Sequence, residues 1–344
     1  MKKETVETLL FWYRQNKRTL PWRENNNPYY IWISEIMLQQ TRIEAVKGYF
    51  EKFIKELPDV AHLAKVEDDK LMKLWEGLGY YNRARNLKKA ANQIMVEFDG
   101  KMPKRYDQLI TLSGIGPYTA GAIASICYGE PVPAVDGNVL RVFMRLDGSY
   151  EDIGSPKVKK DLEERIGKLL KKHMAGDFNQ AVMELGETIC IPNGRPICEQ
   201  CPIVGRCKAY QKKIQTELPV KVSKKARKIE EKTVFILRYA DKLAVAKRPD
   251  TGLLAGMWEF PNTEGIIQKK QVAEYLEHFG IIVHNIEKTE KKKHIFTHKE
   301  WHMLGYYIIC EEIPKQTVFQ WVSREQIERD FAIPTAMAQF LKNK

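Results

Sequence analysis

Four cysteines grouped within one short segment constrain the fold of this chain more than any other feature. Their spacing is C-x7-C-x2-C-x5-C, and the four residues are Cys190, Cys198, Cys201 and Cys207. So short a segment lacks a core of its own, and a metal held by the thiolates is expected to organise it. Four thiolates suit a zinc ion or a [4Fe-4S] cluster, and the spacing does not choose between them. The separate Cys127 and Cys310 are predicted to be ordinary buried thiols.

The charge of the chain indicates a polyanionic partner. Its 344 residues carry a formal net charge of +12, and the sequence pI is about 9.2. Each phosphate neutralised by lysine or arginine releases a condensed counterion, so nucleic acid is the leading candidate. The N-terminal residues are interrupted by polar side chains and no run of 18 apolar residues occurs, so neither a signal peptide nor a membrane span is expected. The clustered cysteines fit a reducing cytosol better than secretion.

The periodicity of apolar residues divides the chain into two folded domains. Apolar side chains recur every three or four residues from Ile36 to Leu57, which predicts one buried helical stripe, and similar segments fill an all-helical domain at 1–211. The segment 212–232 has eight lysines or arginines and three glutamates, and is predicted to be a basic linker. Residues 233–344 mix strand-like and helical patterns, which predicts an α+β domain.

A pair of glycines, Gly114 and Gly116, lies between two predicted helices in the sequence Leu-Ser-Gly-Ile-Gly-Pro-Tyr-Thr-Ala. Glycine permits a tight turn and lets the backbone approach a ligand, because no Cβ intervenes. A helix that starts near Pro117 then directs its free amides at the same point, which suits a phosphate. A Gly-x-Gly motif alone is more typical of a plain turn between helices, so its neighbours decide the interpretation.

Two carboxylates in the helical domain are candidates for chemistry. Glu35 lies in apolar company between Trp32 and Leu38, and an apolar setting would raise its pKa and keep it protonated as an acid. Asp136 opens another predicted helix. The alternatives are a solvent-facing helical glutamate for Glu35 and an N-cap for Asp136.

Ordered motifs make the chain similar to the MutY family of adenine DNA glycosylases, within the helix-hairpin-helix superfamily that also contains endonuclease III. The matching stretches are residues 20–23, 32–41, 75–81, 112–120, 134–141 and 183–186, together with the four cysteines. They cover essentially the whole first domain. The resemblance implies an all-α helix-hairpin-helix glycosylase domain with an iron–sulfur loop at 190–207.

The resemblance also implies a reaction, the hydrolysis of the N-glycosidic bond of adenine mispaired with 8-oxoguanine or guanine in base excision repair. Glu35 would protonate adenine N7 and later activate water, and Asp136 would stabilise or trap the sugar cation. Asn138 and Tyr118 would orient these groups. Members that also cut the strand carry a lysine at the position of Tyr118, where its amine forms a Schiff base. A phenol cannot do so, which implies a monofunctional enzyme.

The same resemblance assigns residues that bind DNA. An adenine flipped out of the duplex would be bound by Trp22, Arg23 and Glu184. The residues that would enter the duplex beside the opposing base are Gln40, Thr41 and Tyr80. The backbone at Gly114 and Gly116 would contact a phosphate. Taken alone, Trp22 is more typical of a core residue.

The resemblance selects the [4Fe-4S] cluster as the cofactor of the four cysteines. The family often has six residues in the first gap, whereas residues 191–197 make that loop one residue longer here. The flanking Arg195, Arg206 and Lys208 favour a structural and DNA-docking role for the cluster.

The second domain resembles the Nudix-like C-terminal domain of the same family, mainly through residues 248–261. A hydrolytic Nudix motif holds magnesium on a glutamate-rich helix, but here Ala273 and His278 replace its arginine and one glutamate. The domain is therefore expected to recognise a lesion rather than to hydrolyse a diphosphate. Thr297 and His298 match the lesion-reading loop of the family, with threonine in place of serine; a strand-end turn and a solvated histidine are the plain alternatives.

Two other functions stay open at this point. An endonuclease III-like glycosylase for oxidised pyrimidines is opposed by Tyr118 and by the second domain. A mismatch-binding or iron–sulfur sensor protein without catalysis is opposed by the presence of Glu35 and Asp136. The expected partner is double-stranded DNA with A:8-oxoguanine or A:G mispairs, bound by a monomer in the cytoplasm at the nucleoid.

Overall fold

A computed structural model of the chain describes residues 1–171, 174–222 and 226–341. The chain forms two compact units, the first made of Met1–Lys65 with Arg85–Ser223 and the second of Val66–Ala84 with Lys224–Lys344. An all-helical part followed by a mixed α and β part is confirmed by the distribution of helices and strands.

Helices occur in both units. In chain order they are α1 Lys3–Asn16, α2 Pro28–Leu38, α3 Ile43–Glu56, α4 Val60–Lys65, α5 Asp68–Leu74, α6 Asn82–Glu97, α7 Tyr106–Leu109, α8 Pro117–Tyr128, α9 Gly137–Asp147, α10 Pro156–Gly167, α11 Ala175–Thr188, α12 Lys208–Gln211, α13 Val272–Glu277, α14 Arg324–Asp330 and α15 Thr335–Ala338. Within the described residues, none of them is both long enough and apolar enough to cross a bilayer.

The prediction of one continuous helical stripe from Ile36 to Leu57 is wrong. Helix α2 ends at Leu38 and α3 begins at Ile43. Between them Gln40 has φ of +61°, a left-handed backbone conformation that no continuing right-handed helix accommodates. The apolar periodicity continues across this break because each helix buries one face independently.

Local sequence sets the start of the two helices that follow the glycine pair. Pro117 occupies the first turn of α8, where its fixed φ suits a helix and its missing N–H costs nothing. Asp136 caps α9, and its side chain accepts a hydrogen bond from the backbone nitrogen of Val139 at 2.8 Å. Gly129 and Gly148 end these helices in the left-handed conformation. The two helix starts therefore carry the hairpin and one candidate carboxylate.

One hydrophobic cluster of the first unit lies among α1, α8, α9, α10 and α11. Phe143 on α9 and Phe178 on α11 are among its fully buried side chains. Gly176 lets α11 approach α8 closely, because a Cβ at this position would lie 2.7 Å from the carbonyl oxygen of Ser125. Such close packing holds the starts of α8 and α9 in fixed positions.

The strands of the second unit are β1 Lys228–Tyr239, β2 Lys242–Lys247, β3 Trp258–Glu259, β4 Asn262–Glu264, β5 Val283–Ile295, β6 Lys299–Cys310 and β7 Gln320–Ser323. They follow the order β3-β2-β1-β6-β5, with β4 paired to β1 and β7 paired to β2. Strands β1 and β6 run parallel, and β5 and β6 form an antiparallel hairpin.

Two features of this sheet bear on function. The β5–β6 hairpin turns at residues 296–298, so the predicted lesion-reading residues lie at its tip. Strand β1 begins at Lys228, inside the segment 212–232 that the composition predicts as a linker, because Lys228 continues the register of β1 with Lys299 on β6.

The second unit also includes Val66–Ala84, which the sequence places in the first domain. Lys73 of this segment donates to the carbonyl oxygens of Ile327 at 3.1 Å and Phe331 at 3.2 Å. Glu76 accepts from the backbone nitrogen of Ile333 at 2.8 Å. These contacts join residues more than 250 positions apart, so no local pattern in the sequence could indicate them.

Candidate active site

A buried glutamate and a tyrosine form the central pair of the first unit. Glu35 on α2 is 8% exposed, and Tyr118 at the start of α8 donates its phenolic hydrogen to Oε2 of Glu35 at 2.5 Å. Burial raises the pKa of Glu35 to about 7; the hydrogen bond from Tyr118 acts against this shift, and the nearby charge of Asp136 adds to it. The pKa of Tyr118 is raised well above its ordinary value, first by burial, so the phenol stays a neutral donor.

A second carboxylate lies close to this pair. Asp136 accepts hydrogen bonds from the backbone nitrogen of Val139 and from Nδ2 of Asn138, both at 2.8 Å. Burial raises its pKa, whereas these hydrogen bonds favour the carboxylate. Asp136 is thus both the N-cap of α9 and a member of the carboxylate group, so its two sequence interpretations are compatible.

Asn138 is held on three sides. Its Nδ2 also donates to Glu187 at 2.9 Å, and its Oδ1 accepts from Nη2 of Arg141 at 2.7 Å. Arg141 in turn donates through Nε to the backbone carbonyl of Cys190 at 2.7 Å. Hydrogen bonds therefore connect Asp136 to the start of the cysteine loop.

Gly186 on α11 makes room for Asn138. A Cβ at Gly186 would lie 2.7 Å from Cβ of Asn138, a distance that real Cβ atoms essentially never show. Its φ is not in the left-handed region, so space rather than backbone conformation requires glycine here.

A second buried carboxylate is paired with two arginines. The side chain of Glu184 is 0% exposed; Arg18 donates to its Oε1 at 2.5 Å through Nε, and Arg23 to its Oε2 at 2.9 Å. Burial acts to raise the pKa of Glu184, but the hydrogen bonds and charges of Arg18 and Arg23 outweigh it, and the pKa is lowered. The sequence interpretation brought Arg23 and Glu184 together and missed Arg18. The charge balance of a buried glutamate could have drawn attention to this second arginine.

Trp22 lies beside this group in the chain and belongs to the core. It is 3% exposed, and its ring meets Phe50 edge-on at a centroid distance of 5.4 Å. The burial of Trp22 fits a core side chain, as expected for this residue taken alone. The next residue, Arg23, donates a hydrogen bond to Glu184.

The two glycines of the hairpin are required for different reasons. Gly114 has φ of +75°, and a Cβ there would lie 2.6 Å from Cβ of Asn86. Gly116 caps α8 with φ of −91°, and nothing lies within 4 Å of where its Cβ would be. The backbone at Gly116 is consequently open to a ligand at the N-terminus of a twelve-residue helix.

The four clustered cysteines line a single cavity in the first unit. All four thiols are free of disulfides. Most of the remaining lining is apolar, and burial raises the pKa of Cys201 to about 12, a shift that a bound cation would oppose. In the described part of the chain, however, no three histidine, cysteine, aspartate or glutamate side chains are already converged as metal ligands. The donor set fits a thiolate-bound group, with the side chains requiring adjustment around it.

Arg145 of α9, a buried side chain, forms hydrogen bonds to the cysteine loop. Its Nη1 lies 3.3 Å from Sγ of Cys190 and donates to the carbonyl of Ile191 at 2.9 Å, while Nε donates to Leu218 at 2.8 Å. A hydrogen bond to a sulfur ligand is one way in which a protein stabilises a metal-bound thiolate.

Two of the residues expected to enter DNA share an unusual backbone. Gln40, in the turn between α2 and α3, has φ of +61°, and Tyr80 has φ of +49°. Non-glycine residues in this region carry a strain of about 1–3 kcal/mol and cluster at functional positions. Thr41 follows Gln40 in the same turn, and its backbone nitrogen donates to Leu38 at 3.2 Å.

The second unit brings Tyr80 and the tip of the β5–β6 hairpin together. The phenol oxygen of Tyr80 lies 3.1 Å from Oγ1 of Thr297, and Tyr80 is 46% exposed. Phe296 anchors the tip through an edge-on contact with Trp301 at 4.8 Å. Thr297 and His298 are exposed at the tip.

Comparison with known proteins identifies the family. The family model of HhH-GPD superfamily base excision DNA repair proteins matches residues 33–168, and that of the NUDIX domain matches residues 233–343. The adenine DNA glycosylase of Homo sapiens is 32% identical over 97% of this chain and 73% of its own length. The protein belongs to the MutY family of adenine DNA glycosylases. It is therefore a DNA glycosylase of base excision repair whose target base is adenine.

Other relatives agree with this assignment. The adenine DNA glycosylase of Buchnera aphidicola subsp. Schizaphis graminum is 36% identical over 88% of this chain and 85% of its own length. Among solved structures, a thermostable thymine-DNA glycosylase matches with a TM-score of 0.56 and 29% identity, over 61% of this chain and 96% of that one. An endonuclease III–DNA complex, at 22% identity and a TM-score of 0.53, shows the same fold. The helix-hairpin-helix fold of the first part is thereby confirmed, and the NUDIX family match over residues 233–343 confirms the Nudix-like second part.

The space at Gly186 leads to a first prediction. Gly186→Ala should displace Asn138 and lower the single-turnover rate of adenine release about tenfold or more, because small misplacements of catalytic groups are costly. Gly167→Ala, on α10 with nothing within 4 Å, is the matched control and should leave the rate unchanged. Equal rates for the two variants would contradict the role of this contact.

Proposed function

We propose that the enzyme removes adenine paired with 8-oxoguanine, and adenine paired with guanine, by hydrolysing its N-glycosidic bond. The observation that carries the proposal is the buried Glu35, hydrogen-bonded to Tyr118 and close to the charge of Asp136. Two carboxylates in different surroundings are the arrangement that glycoside hydrolysis uses. Duplexes that differ only in one base pair test it: release of adenine opposite 8-oxoguanine supports the proposal, and release of an oxidised pyrimidine would overturn it.

Glu35 supplies the proton in the first step. Adenine is a poor leaving group unless N7 is protonated, and a carboxyl with a pKa of about 7 is about half protonated at neutral pH and largely protonated below it. Tyr118 occupies Oε2, so the transferable proton belongs on Oε1. After the base has left, the same carboxylate can accept a proton from the attacking water.

Asp136 acts on the sugar. Departure of adenine leaves an oxocarbenium-like cation at C1′, which a nearby carboxylate stabilises or traps covalently. The hydrogen bonds from Asn138 and Val139 favour the charged form that this role requires. Arg18 and Arg23, held in place by the fully buried Glu184, offer fixed donors for the edge of a flipped adenine.

The tip of the β5–β6 hairpin reads the opposing base. 8-Oxoguanine carries a hydrogen on N7, where guanine has a lone pair. If the hydroxyl of Thr297 donates to Tyr80, its own lone pairs can accept that hydrogen. The selectivity of one such bond is about 1–2 kcal/mol, and Tyr80 can fix the hydroxyl in the favourable orientation.

The four cysteines hold a [4Fe-4S] cluster in this proposal. Cys190, Cys198, Cys201 and Cys207 would be its ligands, and the cluster would supply a cross-link that fixes the loop at 190–207. Arg145 would support the ligand Cys190, and the loop would present basic side chains to DNA.

The pH dependence of base release tests the role of Glu35. The protonated form is the active one, so the single-turnover rate should fall as pH rises through about 7. Glu35→Gln preserves the shape but not the transferable proton, and should lower the rate about 10²-fold or more at every pH. A parent rate that stays flat from pH 6 to pH 8, or an active Gln variant, would refute the assignment.

Substitution of Tyr118 tests whether the phenol explains the expected absence of strand cleavage. Tyr118→Lys places an amine beside Glu35, and it should form a Schiff base with C1′ and cut the strand. Borohydride should trap more covalent protein–DNA complex than with the parent, while Tyr118→Phe should trap none above the parent level. No increase with a folded lysine variant would place position 118 away from C1′.

Substitutions at the hairpin tip test its role in the preference for 8-oxoguanine over guanine. Thr297→Ala should reduce the ratio of rates on A:8-oxoguanine and A:G duplexes about tenfold, and Tyr80→Phe should reduce it less, because it removes only the orienting hydroxyl. Thr289→Ala, at an exposed position of β5, is the control. A ratio unchanged in both Thr297→Ala and Tyr80→Phe would assign lesion reading to other residues.

Metal analysis tests the cofactor. Protein purified without oxygen should contain about four iron and four sulfide per chain, and Cys198→Ser should lose most of both together with duplex affinity. Stoichiometric zinc without charge-transfer absorbance would contradict the cluster.

A further inference from the structure

A buried asparagine of the first unit has no role in the reaction described so far. Asn179 lies on α11 and is 2% exposed. Its Oδ1 accepts from the backbone nitrogen of Ala134 at 3.2 Å, and its Nδ2 donates to the carbonyl of Val132 at 3.0 Å and to Oγ of Ser125 at 2.9 Å. One carboxamide thus uses both of its N–H groups and its oxygen on three partners, of which Ala134 and Ser125 are buried and Val132 is partly buried.

The two hydrogen bonds from Asn179 to the backbone of Val132 and Ala134 resemble those between neighbouring parallel β-strands. A carbonyl and the N–H group two residues further on are what an adjacent β-strand would engage, and here the side chain of Asn179 engages both. Pro133 lies between them and has no N–H group of its own. Each end of this short segment is therefore fixed by the side chain of Asn179 on α11.

Helix α8 holds the same segment through the carbonyl of Pro133. A Cβ at Gly121 would lie 2.1 Å from that carbonyl oxygen, so the backbone of α8 meets the segment directly. Ser125, also on α8 and 2% exposed, receives the third hydrogen bond of Asn179. Residues 132–134 are consequently clamped between α8 and α11.

This segment leads directly to a reacting group. Asp136 follows Ala134 by two residues, and Tyr118, which binds Glu35, stands at the start of the same helix α8. We propose that Asn179 is a positioning residue that sets Asp136 relative to Glu35 and Tyr118. The proposal rests on the catalytic roles assigned above to Glu35 and Asp136.

The physical reason is the distance sensitivity of charge stabilisation. A carboxylate stabilises a sugar cation only when it faces C1′ at close range, and a displacement of about 1 Å in such a group can cost about 10²-fold in rate. The cap bond from Val139 fixes Asp136 to α9, but it does not fix α9 to α8. Asn179 and Gly121 supply that second connection.

Single-turnover kinetics test the proposal on the full chain. Asn179→Ala should lower the rate of adenine release from an A:8-oxoguanine duplex about 10–100-fold. The Asn179→Ala variant should bind a duplex whose adenine nucleotide carries a 2′-fluorine with an affinity within about twofold of that of the parent enzyme, because the substitution does not change the surface that contacts DNA. The fluorine prevents release of the base by destabilising the cation, so that binding is measured alone.

Two further variants separate positioning from loss of stability. Leu162→Ala, at a buried core position of α10, should lower the Tm without lowering the rate of the folded enzyme. Asn179→Asp keeps the volume and the acceptor for Ala134 but directs a carboxylate oxygen at the carbonyl of Val132. It should lose rate as the alanine variant does, and it takes the place of that variant if alanine prevents folding.

The outcomes are distinct. A rate loss in the Asn179 variants with unchanged affinity, and none in Leu162→Ala, supports the proposal. Parent-like rates in a folded Asn179 variant would overturn it, and so would an equal rate loss in Leu162→Ala at a matched Tm. If the parent releases no adenine, the proposed function fails instead, and that result is visible before any variant is made.

Discussion

The burial of the Glu35 carboxyl is the constraint on which the rest of the first unit depends. A carboxyl removed from water costs free energy unless it is neutral or hydrogen-bonded, and the fold provides both conditions. Burial raises the pKa of Glu35 to about 7, and Tyr118 supplies one hydrogen bond. That bond joins α2 to the start of α8, so the hairpin and the acid occupy fixed positions relative to each other. The same features that make Glu35 costly to bury make it an acid at neutral pH.

Small residues then allow the helices to carry the other groups. Gly121, Gly176 and Gly186 each lie where an added Cβ would come within 2.7 Å of a neighbouring atom. Through these contacts α8, α9 and α11 approach one another closely enough for Asn138 to bond Glu187 and for Asn179 to bond Ser125 across neighbouring helices. The reactive arrangement is therefore a property of helix packing, and a methyl group far from the reacting atoms can disturb it.

Sequence motifs predicted the two-part fold and most of the candidate site, because those residues follow helix starts and turns that local chemistry sets. Asp136 and Gly114 are examples, the first as a cap and the second through its left-handed backbone. Arg18 and Asn179 were missed because their partners lie far away in the sequence. The grouping of Val66–Ala84 with the second unit had the same cause. The apolar periodicity from Ile36 to Leu57 continues across the break at Gln40, so the periodicity by itself did not locate the end of α2, although Gln-Gln-Thr alone is typical of a polar helix interruption.

The most direct test of this account is the titration of Glu35 itself. Carbon-13 labelling of glutamate carboxyls, with Glu35→Gln to assign the resonance, gives the pKa of this one group in the folded enzyme. The account predicts a midpoint near pH 7, and a midpoint that falls when burial is relieved by a cavity beside the side chain. A carboxyl that titrates near its ordinary value of about 4.5 would contradict it, because Glu35 would then be ionised at neutral pH and could not act as the acid.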